Sequence, residues 1–239
     1  VGSERASLGP HSRVGAARKA TCAGSAWPPR QREAHQIAVP PLVARPGLDR
    51  GRHQPIHGTL HRMVIVLSGL PATGKSTLGA ALARRLSLPL FSVDPIEAGM
   101  LRAGLSQSFE TGLAAYLVAE ALVDSQLSLG QGAIVDAVNA EEDAKDTWRR
   151  VARRHSTTLC VIECVCPDDR VHRSRLESRQ RAVAPVLREP TWDDVRRRRR
   201  AYTTWAEPHL RVDTLQPVDE LVARVISWLQ EGAAGPPSH

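Results

Sequence analysis

The feature that most constrains the fold of this chain is a glycine-rich segment between an apolar run and a helical pattern. Residues 63–67 form a short continuous apolar run, which is typical of a strand buried on both faces. The next segment, GLPATGKS at residues 69–76, matches G-x-x-x-x-G-K-[ST] at every required position. Apolar residues then recur at helical spacing over residues 78–86. The segment therefore predicts a tight loop that joins a buried strand to the first turn of a helix.

The residue types in this loop are those that phosphate binding requires. Gly69 and Gly74 permit backbone conformations that a side chain would forbid, so consecutive N–H groups can point at one phosphate. The N-terminus of the following helix adds its partial positive charge. We expect Lys75 to reach the β- and γ-phosphates of ATP, and the Ser76 hydroxyl to ligate the Mg²⁺ that bridges them. The predicted nucleotide-binding residues are Gly69, Leu70, Pro71, Ala72, Thr73, Gly74, Lys75, Ser76 and Thr77.

The positive charge of the chain lies in its N-terminal quarter. The formal net charge is +7, yet residues 1–62 hold ten basic and three acidic residues, while the remainder holds 22 of each. Residues 1–62 also contain seven prolines and few aliphatic residues, so they cannot bury enough apolar surface to offset the entropy lost on ordering. We therefore expect a disordered basic extension over residues 1–62 and a folded part without net charge.

Three interpretations of this extension are open. Its charge is suited to binding a nucleic acid or an acidic surface. Its arginine-rich, acid-poor composition also resembles a transit peptide, although it is long and lacks an amphipathic stretch. The third interpretation, which we favour, is a start codon assigned too early, because the disordered composition ends abruptly at Met63.

Strand and helix patterns alternate from residue 63 to about residue 230. The predicted strands lie at 63–67, 90–93, 132–137, 157–165 and 210–213. The predicted helices begin near residue 75 and then cover 95–103, 109–129, 141–154, 168–181, 191–205 and 217–230. This alternation predicts an α/β fold with a parallel sheet and helices on both faces. We expect one domain over residues 63–231 and a frayed C-terminus over 232–239.

Compartment and assembly follow from what the sequence lacks. No stretch reaches the ~18 apolar residues of a membrane helix, and no apolar core of a secretory signal is present. The four cysteines include no C-x-x-C pair, and Cys160, Cys164 and Cys166 share one apolar run, which is typical of buried free thiols. We expect a cytoplasmic protein without membrane contact that is a monomer or a weak dimer.

Acidic residues follow two of the predicted strands, and ligands of such sheets bind at the carboxyl ends of strands. Asp94 follows the second strand, where its carboxylate can accept the proton of an incoming hydroxyl, or can merely cap the helix that Pro95 opens. Asp136 ends the third strand and has the placement of an acid that organises Mg²⁺, or of one that holds a loop. Asn139 either contacts the acceptor or caps the helix near Glu141.

Arginines form two further clusters. Arg175 and Arg179 lie four residues apart in a predicted helix and therefore share one face. On a mobile flap they can close over the phosphates and stabilise the charge of the transferred group; otherwise they form a solvated helix face. The run over residues 196–200 surrounds its helix, so we favour a solvated surface over a patch for an acidic substrate.

The segments SGLPATGKST, VDPIEAGMLRAGL, IVDAVN, IECVCPDD and RLESRQR together resemble small bacterial P-loop kinases of the "AAA family ATPase" type. These kinases are similar to gluconate kinases, chloramphenicol phosphotransferase, polynucleotide 5′-kinases and zeta-type toxins. The resemblance covers residues 63–229 and implies a five-stranded sheet in the order 2-3-1-4-5, with a helical lid at about residues 168–206. By position, Asp94 matches the acid that serves as base, and Arg175 and Arg179 match the lid arginines.

The residues and the resemblance together imply an ATP- and Mg²⁺-dependent phosphotransferase that acts on a hydroxyl of a small molecule. The predicted catalytic residues are Lys75, Asp94, Arg175 and Arg179, and the predicted metal ligands are Ser76 and Asp136. One alternative is a nucleic-acid 5′-hydroxyl kinase. The folded part has no net charge, which argues against this alternative because proteins that bind nucleic-acid phosphates usually present a basic face. The other is an ATP-binding regulatory module with weak hydrolysis. No acceptor signature is evident, and analogy of fold does not name a substrate.

Overall fold

The predicted strands form one parallel sheet in the order β2-β3-β1-β4-β5. Their bounds are Met63–Ser68 (β1), Leu90–Ser92 (β2), Ala133–Asp136 (β3), Thr158–Val165 (β4) and His209–Asp213 (β5). The computed structural model describes residues 62–179 and 186–233. The predicted N-terminal extension, apart from Arg62, therefore lies outside the described residues, as does the predicted C-terminus beyond residue 233. The strand order that the resemblance implied is confirmed.

Seven helices in the described ranges connect and cover these strands. Their bounds are Lys75–Leu86 (α1), Val93–Arg102 (α2), Phe109–Ser128 (α3), Glu142–Arg154 (α4), Asp169–Glu177 (α5), Trp192–Ala201 (α6) and Val218–Ala233 (α7). None of the described helices combines the length and the apolar character that crossing a bilayer requires. Helices α5 and α6 lie between β4 and β5, the place that the resemblance assigned to a lid.

Two apolar cores hold the sheet between its helices. Ile65 and Leu67 of β1 pack with buried leucines and valines of α1 and α7 on one face. Val64 and Val66 point the other way and pack with α3 and with Trp148 of α4. Because successive strand residues point to opposite faces, a continuous apolar run is what a strand covered on both sides needs. The central strand is thereby fixed rigidly, and the loop that follows it starts from a defined position.

Helix boundaries differ from the prediction in four helices. Helix α7 ends at Ala233 and not at residue 230, so residues 232 and 233, predicted to fray, are helical. Helix α2 begins at Val93 with Ser92 as its N-cap, so Asp94 is the second helical residue and not the cap. Pro95 is still tolerated, because N–H groups in the first turn have no partner within the helix. Helix α5 ends at Glu177, four residues before the predicted end at Arg181, and α6 ends at Ala201 and not at residue 205. The sequence Thr191-Trp-Asp-Asp194 has the spacing of a capping box, and the structure forms one at the start of α6.

Asn139 serves neither of the two roles considered for it. Its side chain is fully buried, and its Oδ1 accepts a hydrogen bond of 2.9 Å from Nε1 of Trp148. Its backbone N–H donates to the Tyr116 hydroxyl at 3.2 Å, and its own φ is +51°. The N-cap of α4 is Glu141 instead. Asn139 therefore fixes the loop after β3 against the core and has no access to a ligand.

Candidate active site

The loop of residues 69–76 is packed so closely that only glycine fits at its start. Gly69 has a φ of +143°, and a Cβ added there would lie 2.3 Å from the backbone carbonyl oxygen of Cys164 in β4. Its N–H donates to the carbonyl of Val138 at 3.3 Å, which ties the loop to the segment after β3. Gly74, with a φ of +89°, is the N-cap of α1. The loop is therefore held between the ends of β3 and β4, and it presents the N-terminus of α1.

The Lys75 side chain folds back over this loop. Its Nζ donates a hydrogen bond of 2.9 Å to the carbonyl of Leu70, and the residue is only 7% exposed. Burial lowers the pKa of Lys75, and the nearby carboxylates of Asp136 and Asp94 oppose that shift. The ammonium can donate to a phosphate, while the two carboxylates leave a net negative charge that a cation such as Mg²⁺ would offset.

The two predicted metal ligands lie in direct contact. The Ser76 hydroxyl donates to Oδ2 of Asp136 at 2.6 Å, and the Ser92 hydroxyl reaches the same oxygen at 3.3 Å. Hydroxyl and carboxylate oxygens are the hard ligands that Mg²⁺ prefers. Residues 62–179 and 186–233 contain no group of three or more His, Cys, Asp or Glu able to hold a metal. The pair therefore fits a Mg²⁺ that takes its remaining ligands from phosphates and water.

Asp94 and Arg179 face each other beside this pair. Nη2 of Arg179 lies 3.5 Å from Oδ2 of Asp94, and their side chains are 22% and 42% exposed respectively. Asp94 reaches this position because α2 follows β2 without a loop, which places its first turn at the carboxyl end of the sheet. Arg179 reaches it from the segment that follows α5. The structure thus brings together the predicted base and one of the two predicted lid arginines.

Arg175 does not share a helix face with Arg179, because α5 ends between them. Its guanidinium donates to the hydroxyl and to the carbonyl of Thr214, at 3.1 and 2.9 Å. Thr214 follows β5, so Arg175 lies at the opposite side of the phosphate loop from Asp94. The prediction of one shared face was wrong because four-residue spacing aligns side chains only within an unbroken helix.

Two neighbouring cavities meet at these residues. The larger, of about 590 Å³, extends from the phosphate loop to Arg175, Thr214 and Gln216. The smaller, of about 210 Å³, lies between α2, Gln107 and the segment from Leu187 to Arg198. Both cavities are lined by Lys75, Ser76, Asp94, Asp136 and Arg179.

Sequence reasoning missed several residues of these cavities. Ser92 could have been found, because it ends a predicted strand two residues before Asp94. Thr214 and Gln216 follow β5 and carry the same positional signal. Gln107 and Arg198 had no such signal, because they lie on a helix connection and inside a run of arginines.

A buried histidine forms a hydrogen bond with the backbone of the phosphate loop. Nε2 of His172 lies 2.7 Å from the carbonyl of Pro71, and Nδ1 lies 3.2 Å from Nη2 of Arg199. A carbonyl only accepts and a guanidinium only donates, so this network assigns the neutral ring with its proton on Nε2. Burial lowers the pKa of His172, which favours the same neutral form. Because Arg199 also pairs with Asp169 at 2.8 Å, residues of α5 and α6 are linked to the loop.

Comparisons with known proteins support the family and the fold of this chain. The AAA domain family model matches residues 64–202, more than half of the chain. A candidate kinase from Chloroflexus aurantiacus is 26% identical, with 70% of this chain and 98% of that chain covered and a TM-score of 0.59. A gluconokinase from Sinorhizobium meliloti is 17% identical, with 73% and 95% covered and a TM-score of 0.54. The APS kinase CysC of Mycobacterium tuberculosis, solved with AMPPNP and APS, is 19% identical, with 72% and 98% covered and a TM-score of 0.53. No curated protein matches the sequence.

The fold similarity extends over nearly the whole length of each of these structures, and the family match includes the phosphate loop, β3, β4 and α6. The sheet order is the one that the resemblance implied. This chain therefore belongs to the AAA domain family and has the fold of the small P-loop kinases.

Proposed function

We propose that this protein is an ATP- and Mg²⁺-dependent kinase that transfers the γ-phosphoryl group to a hydroxyl of a small molecule. The observation that carries the proposal is the wall shared by the two cavities. It holds a lysine, a serine–aspartate pair, a second aspartate and an arginine, all at the carboxyl ends of the strands. A phosphoryl group bound at that wall is accessible from both sides, which is what transfer between two substrates requires.

In this proposal ATP occupies the larger cavity. The N–H groups of the loop and the N-terminus of α1 bind the phosphates, and Lys75 leaves the Leu70 carbonyl to contact them. Ser76 and Asp136 would hold the Mg²⁺, which when bound neutralises charge on the β- and γ-phosphates. Arg175 and Thr214 line only this cavity, away from the shared wall. We therefore assign Arg175 to the nucleoside end of ATP and not to the transferred group.

The acceptor occupies the smaller cavity with its hydroxyl directed at Asp94. The Asp94 carboxylate takes the hydroxyl proton as the oxygen forms its bond to the γ-phosphorus, and the bond from that phosphorus to the bridging oxygen of ADP breaks. Arg179, which contacts Asp94 and lines both cavities, is placed to stabilise the charge on the transferred group.

Asp94→Asn tests the assignment of the base, and Asp219→Asn provides a matched control. Asp219 is likewise the second residue of its helix, α7, so both variants lose a similar favourable interaction with a helix N-terminus. We would measure ATP turnover with pooled sugars, nucleosides, aminoglycosides, other alcohols and 5′-hydroxyl oligonucleotides. One acceptor pool is expected to raise the turnover of the unaltered protein. Asp94→Asn should bind ATP normally and lose about 10²–10⁴-fold in acceptor-dependent turnover, whereas Asp219→Asn should retain it.

Each other outcome points to a different conclusion. Full transfer by Asp94→Asn would exclude this residue as the base and leave the kinase proposal standing. Stimulation by oligonucleotides alone would replace the small acceptor with a nucleic-acid end. Equal slow hydrolysis with every pool would instead favour a nucleotide-binding regulatory module.

A further inference from the structure

The five consecutive arginines of α6 are not equivalent. Three of them pair with acids: Arg196 with Asp193, Arg197 with Asp194 and Arg199 with Asp169. The side chains of Arg198 and Arg200 are solvent-exposed and form no hydrogen bond or ion pair with any other residue in the described ranges. All five are solvent-exposed, as predicted, and two of them have a guanidinium group without an ion-pair partner among the described residues.

Only one of these two groups lies at the candidate site. Arg198 lines the smaller cavity together with Asp94 and Arg179, and Arg200 lines neither of the two cavities at the shared wall. The charges of Arg198 and Asp94 both act on the pKa of the Tyr116 phenol, so all three side chains lie near one another. Its place in the run, one residue from arginines that face acids, shows that position around the helix decides which group faces the cavity.

The backbone that carries Arg198 is held firmly. Tyr202 follows the end of α6, four residues after Arg198, and its hydroxyl lies 2.8 Å from Oγ of Ser68. Trp205 donates to the same oxygen at 3.0 Å. Buried Lys145 donates to the carbonyl of Thr203 at 2.7 Å. Since Ser68 is the last residue of β1, the C-terminal end of α6 is fixed to the strand that precedes the phosphate loop.

The carboxylates of the smaller cavity do not supply the missing partner. Asp136 accepts from Ser76, Asp94 pairs with Arg179, and the Asp194 carboxylate accepts from the N–H of Thr191 and pairs with Arg197. Glu97 and Glu189 also have partners within the protein. Arg198 is thus an exposed guanidinium at this cavity that is free to pair with a bound ligand, and the ligand group that pairs with it is negatively charged.

Resting on the proposed kinase function, we propose that the acceptor is an anionic small molecule whose carboxylate or phosphate group binds Arg198 while its hydroxyl faces Asp94. A guanidinium binds such groups through paired, charge-assisted hydrogen bonds, which fix orientation as well as charge. The cavity of about 210 Å³ has the volume of roughly seven water molecules. That volume is sufficient for a small acid.

The test combines an acceptor pool sorted by charge with a matched pair of variants. A bacterial extract, filtered to small molecules and freed of nucleotides, is separated by ion exchange into anionic, neutral and cationic pools. Transfer of label from γ-labelled ATP to each pool is measured with the full chain. The acceptor is then purified from the labelled pool. Its KM is determined for the unaltered protein, Arg198→Gln, Arg198→Lys and the control Arg200→Gln, which removes an equally unpaired arginine two residues along the same helix.

We expect label in the anionic pool. Arg198→Gln should raise the KM of the acceptor roughly 10- to 100-fold, the effect of losing a charged hydrogen bond, and leave the KM of ATP unchanged. Arg198→Lys should recover part of this loss because it retains the charge, and Arg200→Gln should behave as the unaltered protein. The unchanged KM of ATP also shows that the variant is folded.

Three results would overturn the inference. Label confined to the neutral or cationic pool would refute an anionic acceptor while confirming a kinase. Equal acceptor KM values for Arg198→Gln and Arg200→Gln would remove Arg198 from the acceptor site. Absence of label in every pool, with ATP bound, would reject the kinase proposal and this inference with it.

Discussion

Gly69→Ala tests whether the close contact between the phosphate loop and β4 excludes every residue except glycine at this position. The added Cβ would lie 2.3 Å from the carbonyl oxygen of Cys164, whereas real Cβ contacts essentially never fall below 3.0 Å. The carbonyl oxygen is a backbone atom and the position of a Cβ is fixed by its own backbone, so neither can move away by changing a rotamer. The backbone of the loop or of β4 must therefore shift by at least the difference between these two distances.

The expected loss follows from two costs. A non-glycine residue at a φ of +143° carries backbone strain of about 1–3 kcal/mol. Forcing an extra carbon into a packed region adds about 1–3 kcal/mol. We therefore expect Gly69→Ala to lower the free energy of unfolding by about 2–6 kcal/mol, compared with the roughly 5–15 kcal/mol that stabilises a typical domain.

Gly104→Ala is the matched control. Gly104 has a φ of +97°, and a Cβ there would meet nothing within 4 Å. This variant carries the strain without the overlap, so its loss should be about 1–2 kcal/mol. Urea unfolding of the full chain measures both values, and titration with a non-hydrolysable ATP analogue measures binding. Gly69→Ala should also weaken that binding, whereas Gly104→Ala should not. Equal losses of stability in the two variants would refute the contact argument.

Three further variants test contacts around the site. Lys145→Met should lower the free energy of unfolding by about 2–4 kcal/mol, because removal of the buried ammonium leaves the carbonyl of Thr203 without its donor. His172→Phe should weaken ATP binding by removing the donor to Pro71, and His172→Gln, which retains an N–H, should recover part of it. Hydrogen bonds, the largest from Lys145, lower the pKa of Glu142 to about 2. Glu142→Gln should therefore cost less than about 1 kcal/mol at pH 7, since the side chain is half exposed. That difference should be lost as the pH falls from 4.5 through about 2.

Each of these has a result that would contradict it. A Lys145→Met protein as stable as the unaltered one would show that solvent satisfies the carbonyl. Equal ATP affinity in His172→Phe and His172→Gln would reduce the histidine to a packing residue. A Glu142→Gln difference that persists at pH 2 would mean that the carboxylate charge is not its source.

The order of the elements was predictable because it is encoded locally. Apolar runs of strand length, the helical recurrence after Lys75 and the Thr191–Asp194 capping box each depend on residues close in sequence. The placement of Asp94 and Asp136 at one edge also followed, since the carboxyl ends of parallel strands meet there. The helix boundaries were harder to predict, because the N–H and C=O groups of a first or last turn have no partner within the helix and bind whichever tertiary partner is near. Ser92 illustrates this: its hydroxyl binds Asp136 in β3 and makes no cap bond to its own helix.

By itself, the sequence determined the phosphate loop, the α/β class and the acids at the carboxyl edge, because backbone conformation and side-chain periodicity are properties of short segments. Only the tertiary structure separated Arg175 from Arg179 and selected Arg198 among five consecutive arginines. The pairs of Arg196 and Arg197 with acids three residues earlier are local to α6. The pair between Arg199 and Asp169, and the position of Arg198 at the cavity, depend instead on how the sheet and the other helices pack around α6.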